Sequence, residues 1–169
     1  TCFSPTVDSH VNLVSPYTNL GPHWLRGALH FHSTASDGGQ PPEVALRDYD
    51  SRGYDFAALT DHNVFAPALP DPQRRLISLP GCEYRLGTQG PEANIIGART
   101  TAPLGIPEAD AAAAIRALDA FVIYNHPNWH FDHWLTRDML AWRCADAIEV
   151  YNALVEHLAG FAESSDKWD

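Results

Sequence analysis

The amino-acid sequence predicts an α/β protein built on a mostly parallel sheet or barrel. Three observations point there. Short apolar runs alternate with segments of helical pattern along most of the chain, as when strands and covering helices take turns. Most of those runs end in a histidine or a carboxylate, the position where α/β sheets collect active-site groups. The chain has 169 residues, 45% apolar and 19% charged, the size and mix of one globular domain with a sizeable core.

Residues 1–23 are rich in Ser, Thr, Pro and Asn and lack periodicity. They read as an irregular lead-in with one short strand around Val11 to Val14, and the domain proper runs from 24 to 169. Strands are expected over Leu25–His32, Phe56–His62, Leu76–Arg85, Ala93–Ala98, Phe121–His126 and Ala147–Asn152, all short apolar runs bounded by turn residues. Pro42–Arg52 reads as a helix, with proline in its first turn and Gly53 as its stop. Pro107–Leu118 is a second, with Glu108 and Asp110 in the first turn, where the helix dipole favours anions. Thr136–Trp142, capped by Thr136, and Leu154–Glu163 complete the set. No internal repeat interrupts this order.

Composition narrows the function classes. A net charge of −10 argues against a protein that neutralises long duplex nucleic acid, although metal ions supply local positive charge for a small anionic substrate. Three cysteines (Cys2, Cys82, Cys144) without CxxC spacing indicate neither a disulfide framework nor a zinc knuckle, and free thiols suggest a reducing, cytoplasmic compartment. No run of 18 apolar residues is present, so no membrane span is expected. The chain opens on Thr1 rather than Met, so a processed or trimmed start is expected, one that hides any leader.

The stretch HFHSTASDGGQ, residues 30–40, carries the sharpest chemistry. On a strand, residues two apart share a face, so His30 and His32 project together while Phe31 packs the other way. Asp37 lies in a glycine turn that folds back and brings its carboxylate to the same space. His62, Glu83 and His126 follow at later strand ends, in TDH, GCE and NHP. Imidazole and carboxylate in this combination suit zinc, iron, manganese or nickel.

These ordered motifs, HFHSTASDG, TDH (60–62), GCE (81–83) and NHP (125–127), resemble those of the PHP (polymerase and histidinol phosphatase) superfamily. The lead WLRGALHFHS is similar to its uncharacterised and carbaryl-hydrolase-like branch. The resemblance covers residues 24–169. It implies a distorted (β/α)7 TIM-like barrel holding two or three divalent ions (Zn, Mn or Fe). His30 and His32 would bind the first ion, Glu83 would bridge to a second held by His126, and Asp37 and His62 would hold the third. His157, eight residues past Glu149, matches a further family histidine by spacing. The family closes its site with a late Asp-x-His pair that nothing after His157 supplies, so a chain lacking its C-terminal strands is expected.

Other residues have two readings. Asp61 points away from His62 on a strand, as a supporting acceptor, yet it belongs with Glu83 and Arg85 among the candidate catalytic groups. Arg85 shares a face with Glu83, to grip an anion or to stand as a solvated charge. Glu149 is a barrel-end support or a catalytic carboxylate. His10 and His23 are expected to face solvent, and His130 and His133 to line a loop wall. Trp129, Phe131 and Trp134 form core or lid packing, or receive an aromatic leaving group. Cys82 is expected to be a buried hydrophobe.

The chemistry expected is phosphoester hydrolysis of a small phosphorylated substrate by water that bound metal makes nucleophilic as a bridging hydroxide. Ester, carbamate or amide hydrolysis on the same site is the alternative, as is a non-catalytic metal-binding module. Short oligonucleotides fit the acidic charge better than duplexes do.

Overall fold

The computed structural model describes residues 21, 23–130, 132–158 and 160–168. Cys2, His10, Phe131 and the strand expected around Val11 to Val14 lie outside them.

Two small sheets replace the single parallel one expected. The first joins β1 (Gly27–Ala28), β2 (Phe56–Ala58) and β3 (Ile77–Leu79), all parallel, with β2 in the middle. Ala57 and Ala58 on β2 are fully buried, and the small side chain of Ala57 lets helix α1 (Pro42–Ser51) lay Leu46 against the sheet. Tyr49, Tyr54 and Phe31 pack around that contact. Helix α1 starts and stops as its proline and glycine predict, with Gly53 in the left-handed region at φ +76°.

The second sheet has the order β4 (Gly81–Arg85), β5 (Glu92–Ile96), β6 (Phe121–Tyr124) and β7 (Ala147–Ile148). Its first two pairings are antiparallel and the last is parallel. All five residues of β5 are buried. Its far side packs on helix α2 (Glu108–Arg116), which contributes Ala111, Ala112 and Ile115 to a core that also holds Tyr84, Ile95, Val122 and Trp134. The Cys82 thiol joins this core as the buried hydrophobe expected, and burial pushes its pKa up to about 11. Among the described residues these sheets do not close into a barrel.

The run Leu76–Arg85 was expected to be one strand and is two. Pro80 has no N–H to continue a ladder, so the chain changes sheets there. Gly81 makes the crossing possible, since a Cβ at this position would stand 2.5 Å from the Leu59 carbonyl oxygen. Helix α3 has the predicted bounds, Thr136–Trp142, but Leu135 occupies its N-cap and no side chain caps it, so Thr136 is not the cap. Helix α4 (Ala153–Leu158) is shorter than expected. The chain turns at Gly160 (φ +123°), and Glu163 pairs back with Tyr151 in an antiparallel bridge. None of the described helices is long and apolar enough to cross a membrane.

The sheets touch where His62 bridges Glu83 in parallel register. There the Asn63 amide donates to the Glu83 carbonyl at 2.7 Å, and the Glu83 amide donates to the Asp61 carbonyl at 3.2 Å. The sequence-predicted ligands gather around this seam.

Candidate metal centre

Glu83 stands at the centre with no solvent exposure. Four imidazoles surround its carboxylate: His30 Nε2 at 3.2 Å, His32 Nε2 at 3.0 Å, His62 Nδ1 at 2.8 Å and His126 Nε2 at 3.2 Å. Asn125 Nδ2 donates to Glu83 Oε1 at 2.7 Å and to Asn94 Oδ1 at 2.9 Å, fixing the carboxylate plane from beneath. Asn94 in turn donates to the Leu29 carbonyl at 2.8 Å, tying β5 to the segment that carries His30.

His30 and His32 lie beyond the end of β1, so strand alternation does not govern them. Thr60 holds the segment instead, its Oγ1 accepting from the Phe31 amide at 3.0 Å and donating to the Phe31 carbonyl at 3.1 Å. Phe31 then packs on Tyr49, 4.5 Å between ring centroids, and both histidines turn inward as expected.

The loop bearing Asp37 is shaped by Gly38 and Asp61. A Cβ on Gly38 would lie 2.2 Å from the His32 carbonyl oxygen, and the Gly38 amide donates to the Ser33 carbonyl at 2.9 Å. The buried Asp61 carboxylate accepts from the Ser33 amide (2.8 Å), Ser33 Oγ (2.7 Å) and Ser36 Oγ (2.7 Å). It faces the loop, where its hydrogen bonds are those of a supporting acceptor. Asp37 itself reaches His32 Nδ1 at 2.6 Å and His62 Nε2 at 3.5 Å.

Three sets of donor atoms each lie within 4.8 Å of one another around the Glu83 seam: His30, Glu83 and His126; His32, Asp37 and His62; His62, Glu83 and Glu92. His30 and His32 fall in different groups, although both Nε2 atoms face the Glu83 carboxylate. A fourth group, Glu92, His126 and His133, extends the cluster sideways.

Two of these side chains, Glu92 and His133, came from outside the expected ligand list. Glu92 is the first residue of β5 and directly opposes Arg85, whose Nε and Nη2 donate to it at 3.0 and 2.5 Å. Arg85 is thus held in an ion pair with Glu92. His133, assigned to a loop wall, lies beside His126 with ring centroids 4.8 Å apart, and its Nε2 accepts from the Glu92 amide at 3.2 Å. The fully buried Trp134 donates Nε1 to the Glu92 carbonyl at 2.8 Å and anchors this loop, while Trp129 stands edge-on to His126 at 4.8 Å. Glu149 accepts from His30 Nδ1 at 3.1 Å, the His126 amide at 2.8 Å and Asn152 Nδ2 at 3.0 Å. His157 sits exposed on α4 and belongs to none of the ligand groups among the described residues, so the spacing match did not place it here. His23 is exposed, as expected.

The donor set fits divalent metal. His32 Nε2, His62 Nδ1, His126 Nδ1 and Glu83 Oε2 are buried without a hydrogen-bond partner. Two of those nitrogens stand 2.8 and 3.0 Å from that same oxygen without hydrogen-bond geometry. Buried polar atoms that converge without bonding leave a cost that coordination to an ion removes. Glu149 adds what ligating histidines usually have, a carboxylate that fixes the tautomer and leaves the other nitrogen free for metal. His126 holds a positive φ of +30°, a strained conformation for a non-glycine residue and one that clusters at functional sites.

Electrostatics follow from the packing. Burial opposes charge on His30, but Glu149 and Glu83 outweigh it and lift its pKa to about 10. Glu83 and Glu92 lift His62 to about 10 against burial. Burial favours neutral Glu83, yet the imidazoles around it hold it far below the usual carboxylate range. Burial and the neighbouring His126 push His133 down to about 4.

No protein-family model matches the sequence, and no curated protein matches it. Among solved structures, the chain is similar to a two-domain protein containing a predicted PHP-like metal-dependent phosphoesterase from Bacteroides vulgatus. The TM-score is 0.59 at 22% identity, over 76% of this chain and 44% of that one. The chain therefore spans less than half the length of the solved structure it matches. The likeness lies in the fold: this α/β chain shares its architecture with part of that two-domain protein.

Proposed function

We propose that residues 24–169 form a metal-dependent hydrolase domain acting on a small phosphoester. We read its two sheets, joined at the His62–Glu83 seam, as part of a distorted PHP-type barrel. The observation that carries this reading is the buried Glu83 carboxylate ringed by four imidazole nitrogens, two of them, His32 Nε2 and His62 Nδ1, without hydrogen-bond partners. Divalent ions held there supply Lewis acidity toward phosphoryl oxygens and lower the pKa of bound water, to about 7 for a single zinc. His30, His32, His62, His126, Asp37 and Glu83 would hold two or three of them, with Glu92 and His133 at the side; zinc, manganese and iron all suit these donors. The chain's own contribution is orientation. Glu149 sets the His30 tautomer, Asn125 sets the Glu83 plane, Asp61 sets the Asp37 loop, and His62 with Arg85 keeps Glu92 ionised against its burial. The resemblance to PHP motifs and the fold of the Bacteroides vulgatus neighbour support the phosphoester over other substrates.

The test is metal content by mass spectrometry on chelator-free protein, followed by turnover of p-nitrophenyl phosphate and bis(p-nitrophenyl) phosphate. Two or three ions per chain and turnover abolished by His30→Ala and by Glu83→Ala are expected. Full turnover in either variant overturns the assignment.

A second reading, hydrolysis of an ester or carbamate, draws on Trp129 beside His126 and His133. Aryl acetates and carbamates in the same panel separate the two.

A further inference from the structure

A cavity of about 480 Å³ opens directly over the metal centre. His30, His32, Asp37 and Glu149 line it from the centre. Tyr151, Asn152, Ala153 and Leu154 line it from the segment that leads into α4. The polar atoms of that segment's side chains are already committed. Tyr151 donates its hydroxyl to Glu156 at 2.5 Å. Asn152 donates its amide to Glu149, while its Oδ1 accepts from the Leu154 and Val155 amides at 3.0 and 3.2 Å, capping α4. No arginine or lysine lines the cavity among the described residues. What remains to meet an occupant is ring face and aliphatic carbon, and Tyr151 and Leu154 are respectively 53% and 58% exposed.

Resting on the phosphoester reading, we infer that this cavity receives an uncharged aryl or alkyl group, the alcohol side of the substrate. A second phosphate or a carboxylate would face Asp37 and Glu149 here with no arginine or lysine to balance its charge. A flat apolar group instead covers Tyr151 and Leu154 while the ester phosphorus lies over the histidines. Tyr151 and Leu154 are on this argument specificity-determining residues, acting by contact with the leaving group. In the reaction, water oxygen bonds to phosphorus, the phosphorus–oxygen bond to the aryl or alkyl alcohol breaks, and that oxygen leaves with a proton.

The cavity is tested by binding and the chemistry by turnover, so the two fail separately. On manganese-loaded protein, calorimetry compares 1-naphthylphosphonate with methylphosphonate, neither of which can be hydrolysed. The naphthyl compound is expected to bind at least about ten-fold tighter, the scale of burying one ring system against apolar side chains. Tyr151→Ala with Leu154→Ala is expected to shrink that preference by about ten-fold. Both side chains are exposed, and circular dichroism checks that the fold persists. Equal affinities, no binding by either compound, or a preference unchanged in the double variant overturns the proposal. Naphthyl preference without turnover of any phosphoester, 1-naphthyl phosphate included, overturns the phosphoesterase reading and leaves the cavity assignment standing.

Discussion

Replacing Glu83 by Gln keeps the side chain's shape and removes its charge. The four imidazoles would then lose the anion that draws them together, and metal would lose a ligand atom. Metal affinity is expected to fall by more than the 10–100-fold typical of losing an outer hydrogen-bond partner. Competition with a fluorescent chelator measures this, and unchanged affinity would remove Glu83 from the centre. Asp61→Asn makes a different prediction. An amide in place of the carboxylate leaves one of the three donors from Ser33 and Ser36 without an acceptor in a buried site. The expected loss is about 1–3 kcal/mol of stability. Its metal effect should be confined to the ion near Asp37. At this scale the sequence was informative where histidines followed apolar runs: His30, His32, His62, His126, Asp37 and Glu83 all meet in the structure. It was silent on Glu92 and left Glu149 with two readings, because a lone carboxylate in an apolar run looks the same whether it faces a core defect or a cluster of imidazoles. His157 illustrates the reverse error, a spacing match on a helix whose direction no spacing reveals.

Strand direction explains what was missed among the elements. Active-site residues were sought at the carboxyl ends of strands, a rule that holds for parallel sheets. His62 and His126 obey it, following β2 and β6. Glu92 does not, since β5 runs antiparallel to both neighbours and therefore brings its first residue to the site. Nothing in GPEANIIG, an apolar run opening on a carboxylate, distinguishes the two directions. Pro80 was the available signal for the other error, because a proline inside an apolar run is poor ladder material. The helices were read better: α1 and α3 match to within a residue because proline, glycine and apolar spacing act locally, whereas α4 ends early through a long-range pairing of Tyr151 with Glu163. The break at Gly81 also yields a prediction. Gly81→Ala drives a methyl into the Leu59 carbonyl, where backbone and not a flexible side chain must yield. A loss of about 1–3 kcal/mol is expected, as for an overpacked core. Metal binding should weaken with it, since Glu83 lies two residues on. Denaturant unfolding with metal titration reads both, and a variant of full stability would show that the β3–β4 crossing is not a tight passage.

For the molecule as a whole, the metal-free chain carries a concentration of charge that only protons or metal can balance. His30 and His62 rise from an ordinary 6.5 to about 10 on folding. A pKa raised in the folded state means that the folded chain binds protons more tightly than the unfolded one. The stability this adds is complete below pH 6.5 and disappears as pH climbs through 10. Asp37, Glu83, Glu92 and Glu149 shift the other way, each held below its ordinary value by the cations facing it, so their contribution exists above the carboxylate range and is lost on acidification. Chelated protein should therefore be most stable in mildly acidic solution and decline steadily toward pH 10. Metal reverses the alkaline half of that profile. Its ligands must be deprotonated, so protons compete with it less as pH rises, and it replaces them as the counter-charge to the carboxylates. The difference in Tm between metal-loaded and chelated protein is expected to be larger at pH 9 than at pH 6, as read by calorimetry in matched buffers. Loading at pH 7.5 should also release protons from His30 and His62, seen as a dependence of binding enthalpy on buffer ionisation. A metal-induced Tm shift that shrinks as pH rises would mean that the ion binds elsewhere and that these imidazoles serve only to hold the fold.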